Sequence, residues 1–97
     1  MVTFVVEHHI RDGHEADAKR IFDEATNHAK RQPGLVFRQV LRSRNDPQRV
    51  ITVICWESPE AFERQRRPRP QEVVDEEMRH FDTMTAELYD VVDRVNL

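Results

Sequence analysis

The sequence has little of several things. It holds one cysteine, one tryptophan, one tyrosine and two glycines in 97 residues. A single cysteine, Cys55, excludes an internal disulfide framework and a cysteine-based zinc site within one chain. No apolar run approaches the roughly 20 residues that a membrane-spanning helix needs. Met1-Val2-Thr3-Phe4-Val5-Val6 is apolar but stops at Glu7 with no basic lead-in, so no signal peptide is read there and a cytoplasmic protein is expected. GxGxxG, P-loop and serine nucleophile-elbow patterns are missing, which leaves nucleotide cofactors without support. Hydrophobic residues make up only 38%, so the core is lean. A short chain buries a small fraction of its surface, and a lean core on such a chain gains from a second copy of itself. The length fits one domain over 1–97.

Charge is abundant and uneven. The net charge is −3, yet residues 30–70 carry +6 and residues 71–97 carry −6. The two blocks cancel, so they are expected to face each other within a chain or between two copies. The run Arg64-Gln65-Arg66-Arg67-Pro68-Arg69 lacks interleaved aromatics, which argues against nucleic-acid binding. It is read as a loop at the mouth of a cavity.

Periodicity gives the order of elements. Residues 2–10 alternate as a strand, with Val2, Phe4, Val6, His8 and Ile10 on one face. After the Arg11-Asp12-Gly13 turn, a helix is predicted over 14–31, its apolar stripe being Ala18, Ile21, Phe22, Ala25 and Ala29. Pro33-Gly34 ends it. A hairpin follows, with strands over 35–44 and 49–56 around Asn45-Asp46-Pro47-Gln48. Its second strand is apolar on both faces and reads as central. Ser58 and Pro59 open a second helix as N-cap and first helical residue. Prolines at 68 and 70 break it, a further helix spans 71–83, and a last strand spans 86–95. In that reading Val74, Met78 and Phe81 point inward. The order β-α-β-β-α-β, with the second helix broken in two, is the ferredoxin-like α+β split with a four-stranded antiparallel sheet. Its helices cover one sheet face, and a second copy is expected to cover the other.

The residues also resemble a known family. Asp12-Gly13-His14 before an alanine-rich helix, Gln32-Pro33-Gly34-Leu35 entering strand two, Asn45-Asp46-Pro47 at the hairpin, and above all Val53-Ile54-Cys55-Trp56-Glu57-Ser58-Pro59-Glu60-Ala61-Phe62 resemble the antibiotic biosynthesis monooxygenase-like domains of the dimeric α+β barrel group. The resemblance implies a homodimer packed through the sheet face. It also implies a small-molecule oxidoreductase, a cofactor-independent monooxygenase acting on an aromatic, polyketide-type substrate. The alternatives it leaves open are a cyclase or isomerase on the same cavity, and a ligand-binding module without catalysis. The haem-degrading branch of that family uses an Asn on strand one, a Trp closing strand three and a His on the second helix. Trp56 matches, but His8 stands at the Asn position and Arg66 at the His position, so haem degradation is not implied. Thr52 stands where some quinone-forming relatives carry an Asn four residues before the Trp.

The candidate site residues follow. Trp56 at a cavity mouth can stack on a flat ligand, with Phe4, Thr52 and Arg66 as further substrate contacts. His8 shares a strand face with Phe4 and can act as a general base toward a phenolic substrate. His80 and Tyr89 are further acid–base candidates; helical phase allows only one of His80 and Phe81 to face the cavity. Arg38 and Arg42 share a face of strand two and bind a ligand anion or pair with acids of a second subunit. His9 points away from His8, toward a subunit contact. For that reason His8, His9 and His14 are not read as a metal site, and neither a metal nor a cofactor is expected. Cys55 reads as a small core residue.

Overall fold

The structure, a computed structural model, describes residues 1–66 and 68–96. Arg67, within the predicted basic loop, lies outside the described residues. Strand β1 (Val2–Ile10) leads into helix α1 (Glu15–Ala29), then the hairpin β2 (Leu35–Arg42) and β3 (Arg49–Trp56), helices α2 (Pro59–Gln65) and α3 (Gln71–Met78), and strand β4 (Phe81–Asp90). The four strands form one antiparallel sheet in the order β2-β3-β1-β4. This is the ferredoxin-like split with its second helix in two pieces.

Local chemistry accounts for the boundaries. Helix α1 buries Ala18, Phe22 and Ala29, the face that carries its apolar stripe. At α2 the Ser58 hydroxyl accepts a bond from Ala61 N at 3.1 Å, and Pro59 occupies the first turn, where its missing N–H costs nothing. In the hairpin, Ser43 Oγ accepts from Asn45 N and Asp46 N, and Asp46 accepts from Gln48 N. These side chains take up the turn's backbone donors.

The largest departures from the sequence reading are at α3 and β4. Helix α3 stops at Met78 instead of continuing to residue 83, and β4 occupies 81–90 instead of 86–95. Phe81 fits both patterns: it continues the helical series Val74, Met78, Phe81, and it is also the first inward residue of a strand. Pairing decides the matter. Starting β4 at Phe81 lets it run beside all nine residues of β1, from Ile10–Phe81 to Val2–Asp90. That satisfies the backbone groups along one whole edge of β1. Val91 and Val95 therefore lie beyond the strand. Val91 N still donates to Met1 O at 3.1 Å, and Arg94 reaches over the Phe37 ring.

Residue parity assigns the sheet faces. Val2, Phe4, Val6 and His8 stand opposite Trp56, Ile54, Thr52 and Val50, all on the side of the helices. Thr3, Val5, Glu7 and His9 stand opposite Cys55, Val53, Ile51 and Arg49 on the other side. A register shift between Leu35 and Phe37 turns β2 so that Leu35 and Arg38 share the helix side while Phe37 and Leu41 share the open side. Among the described residues no helix lies over the open side, and the molecule is only 20 Å thick in its short dimension. The core on the covered side falls into two clusters. One comprises Ile10, Ala18, Phe22, Val50 and Phe81; the other comprises Val2, Trp56, Ala61 and Phe62. No helix among the described residues is long and apolar enough to cross a membrane.

Two predictions arise from this packing. Gly34 has φ +89°, and a Cβ there would meet Ala61 Cβ at 2.6 Å, whereas Gly13, at φ +84°, has open space around it. Gly34→Ala is expected to cost about 2 kcal/mol or more, and Gly13→Ala about 1 kcal/mol, in urea unfolding. On the open side His9 bonds Asp82 at 3.0 Å and Asp46 at 3.1 Å. The bond to Asp82, with that to Asp46 and the charge of both carboxylates, raises the His9 pKa. Protonated His9 thus contributes stability that is full below the ordinary histidine value and is lost as pH rises through the raised one. The unfolding midpoint of the native chain relative to His9→Gln is expected to fall as pH rises from below the ordinary histidine value through the raised one.

Candidate active site

A cavity of about 320 Å³ opens between the sheet and the helices, between the two core clusters. That volume lies at the lower end of the usual range for small-molecule sites. Strands β1 and β3 supply its floor through Phe4, Val6, His8, Thr52, Ile54 and Trp56. Helix α1 supplies Ile21, Phe22 and Ala25, and α2 supplies Phe62. Phe4 and Phe62 pack ring against ring with centroids 5.1 Å apart. The walls are thus mainly apolar.

Three of the residues that form these walls carry a buried polar atom without a partner. His8 Nδ1, Thr52 Oγ1 and Trp56 Nε1 are all buried, and none has a hydrogen-bond partner among the described residues. A buried polar atom left unpaired costs on the order of 1–3 kcal/mol, and native proteins keep few of them. Here three belong to residues lining one cavity. The His8 ring sits between Phe22, at 5.2 Å between centroids, and Phe81, at 4.5 Å. Burial lowers its pKa; the charge of Glu77 opposes the shift and that of Arg38 adds to it. The imidazole is therefore held neutral at neutral pH, with a lone pair available to accept a proton.

Arg38 enters the same cavity from β2. Its Nε donates to Thr26 Oγ1 at 2.8 Å, which fixes the guanidinium against α1. Burial lowers its pKa, as expected of a cation withdrawn from water. Such a group gains when an anion arrives beside it. The other charged pair at the cavity, Arg69 and Glu77, forms an ion pair with itself.

The predicted residues divide into two sets. Phe4, His8, Thr52 and Trp56 meet in the cavity. His80, Tyr89 and Arg66 do not line it. Phe81 takes the inward position, packing on His8, and His80 turns instead toward His14 and Asp17 at the other end of α1. Tyr89 pairs with Thr3 and so points to the open side, where its hydroxyl donates to Glu87 at 2.6 Å. That bond raises the phenol's pKa. Arg66 lies over the Phe62 ring at 5.7 Å and lines a separate surface hollow with Glu63 and Val74. Arg42 stays exposed, and Cys55 is buried beneath Met1. Glu77 is absent from the sequence reading, whereas Arg38, read there as binding a ligand anion or pairing with acids of a second subunit, lines the cavity. The alternation of β2 did set Arg38 apart from Phe37, but the register shift that aims it inward carries no mark in the sequence.

Comparison with known proteins places this geometry. A family model described as antibiotic biosynthesis monooxygenase matches residues 1–69. No curated protein matches the sequence. Among solved structures, SnoaB, a cofactor-independent oxygenase from Streptomyces nogalater, superposes with a TM-score of 0.77 at 23% identity, covering 97% of this chain and 95% of that one. A protein from Deinococcus radiodurans assigned to the same family gives 0.83 at 14% identity, covering 100% of this chain and 98% of that one. Rv0793 from Mycobacterium tuberculosis gives 0.83 at 10% identity over 98% of both chains. At these identities the structural likeness concerns the fold alone. The family match spans 69 of 97 residues, and the chain belongs to the antibiotic biosynthesis monooxygenase family.

Proposed function

We propose that this chain is a cytoplasmic, homodimeric oxygenase that oxidises a small phenolic, polyketide-type aromatic in the cavity between sheet and helices, without a bound cofactor. The observation that carries the proposal is the set of three unpaired polar atoms, from His8, Thr52 and Trp56, in residues lining a cavity whose walls are mainly apolar. A flat aromatic with oxygen substituents satisfies both halves of that surface. Its rings take the place of water against Phe4, Phe62 and the Trp56 face, and its oxygens meet the unpaired atoms and Arg38.

The chemistry runs from His8. The neutral imidazole accepts a proton from an anthrone or its enol, and Arg38 stabilises the resulting anion. That anion is electron-rich enough to give one electron to dioxygen. The two radicals combine to a carbon-bound peroxide, which takes back the proton held by His8. Loss of the remaining proton on that carbon together with hydroxide, as water, leaves the quinone carbonyl. One oxygen atom enters the product and the other leaves in water. SnoaB, a cofactor-independent oxygenase, supports this reading by likeness of fold only.

The open sheet side supports the dimer. Val5, Phe37, Leu41, Ile51 and Val53 gather there, and Leu41 is 46% exposed. Beyond β4, Val92 and Val95 are 94% and 75% exposed. A second sheet packed on this face would remove that apolar surface from water.

Two outcomes are expected. Oxygen-electrode traces with an anthrone should show uptake that drops at least about a hundredfold in His8→Gln and falls in Trp56→Phe. The acid limb of kcat/KM should lie below the ordinary histidine value, because burial favours the neutral ring. Undiminished uptake in both variants would remove the site assignment, and anaerobic turnover would point to a cyclase or isomerase instead. Light scattering at micromolar concentration should give twice the 11.6 kDa chain mass; a monomeric mass would refute the dimer.

A further inference from the structure

Outside the cavity, at the N-terminal end of α1, three side chains converge that the proposed reaction does not use. His14 Nδ1 and His80 Nδ1 face each other at 3.0 Å. Asp17 Oδ2 lies 3.7 Å from His80 Nδ1, and the three ligand atoms all fall within 4.8 Å of one another. From this geometry we infer that His14, Asp17 and His80 form a divalent transition-metal site of two imidazoles and one carboxylate, suited to Zn²⁺.

The distances are compatible with an ion, given a small adjustment of the carboxylate. Two nitrogens each about 2.0–2.1 Å from one Zn²⁺ and 3.0 Å from each other subtend roughly a right angle at the ion. Asp17 subtends a wider one and has the freedom to adjust, its side chain being 50% exposed. Its other oxygen, Oδ1, is the one that Arg20 approaches, at 4.0 Å, which leaves Oδ2 for the metal. The two imidazoles can also share a single N–H between their Nδ1 atoms, and a metal would replace that proton.

The fold supports the placement. His14 and Asp17 are three residues apart at the start of α1, so they stand on one side of it. His80 follows the last turn of α3 and is held there by the bond from Arg11 N to its carbonyl at 3.0 Å. Its side chain is only 13% exposed. The carbonyl end of α3 offsets the unfavourable dipole that the N-terminus of α1 presents to a cation. Glu72 and Glu76 line the adjoining groove of about 310 Å³ together with Arg20, and Glu76 pairs with Arg79 at 3.3 Å. The consequence is mechanical. Helix α3 has no fully buried residue of its own, and an ion here would tie its end to α1. Because α3 also carries Glu77 into the cavity, the tie would steady one cavity wall. This site does not depend on the proposed oxidation and can be tested without a substrate.

The experiment is a titration of the untagged, EDTA-treated chain with Zn²⁺ by calorimetry. It is repeated with Co²⁺ for its visible absorption and with NMR of the histidine rings. One ion per chain is expected, perturbing the ring signals of His14 and His80 and raising the thermal midpoint. His14→Gln and His80→Gln should each weaken binding by about a hundredfold or more, and Asp17→Asn by about tenfold. Asp23→Asn, further along α1, should bind as the native chain does. Absence of saturable uptake at millimolar Zn²⁺ would overturn the inference. So would ring signals of His14 and His80 that do not move, or native affinity in the His14→Gln/His80→Gln double variant.

Discussion

The ladder between β1 and β3 is the constraint on which the site depends. Val2 pairs with Trp56, Phe4 with Ile54, Val6 with Thr52 and His8 with Val50. Side chains alternate with a period of two, so this register sends every even-numbered residue of both strands toward the helices. A slip of one residue would turn one strand over and carry its polar cavity groups to the open face. Apolar burial sets the register. Trp56 and Val2 are almost fully buried at one end of the ladder and Val50 and Ile10 at the other, so any slip would expose large side chains at both ends. The two core clusters therefore act as stops, and the cavity is the space left between them.

That arrangement separates two chemistries along parity lines, and a third lies away from the sheet. Even positions of β1 give an apolar cavity with a neutral histidine. Odd positions give the open side, where His9 is drawn toward protonation by Asp82 and Asp46. His8 and His9 are neighbours in sequence, yet their pKa values move in opposite directions because one loses water and the other gains carboxylates. The third chemistry, around His14 and His80, needs no strand parity. It needs only that α3 end beside the start of α1.

Much of this was legible in the sequence, for physical reasons that can be named. The alternation in β1 and the two-faced apolar run of β3 identified the strands and put His8, Thr52 and Trp56 on compatible faces. The Ser58-Pro59 cap fixed the start of α2. The end of α3 was not legible, because Phe81 satisfies a helical and a strand pattern equally and only long-range pairing with β1 chooses between them. His80 was misdirected by the same ambiguity. Tyr89 moved to the open side once β4 was set by its pairing with β1. Arg38 needed the register shift at Leu35–Phe37, which depends on the neighbouring strand and not on local residue types. The grouping of His14 with Asp17 and His80 was not legible, because His80 lies 63 residues beyond Asp17 and joins them only in three dimensions.

The central claim is that the unpaired atoms of His8, Thr52 and Trp56 meet one oxygenated aromatic ligand in a shared cavity. A crystal structure of the chain soaked with a hydroxylated anthraquinone tests it most directly. The rings are expected between Phe62 and the sheet, with ligand oxygens within hydrogen-bonding distance of His8 Nδ1 and Trp56 Nε1 and of the Arg38 guanidinium. A ligand seated elsewhere, or one in the cavity that leaves those two nitrogens unpaired, would contradict it.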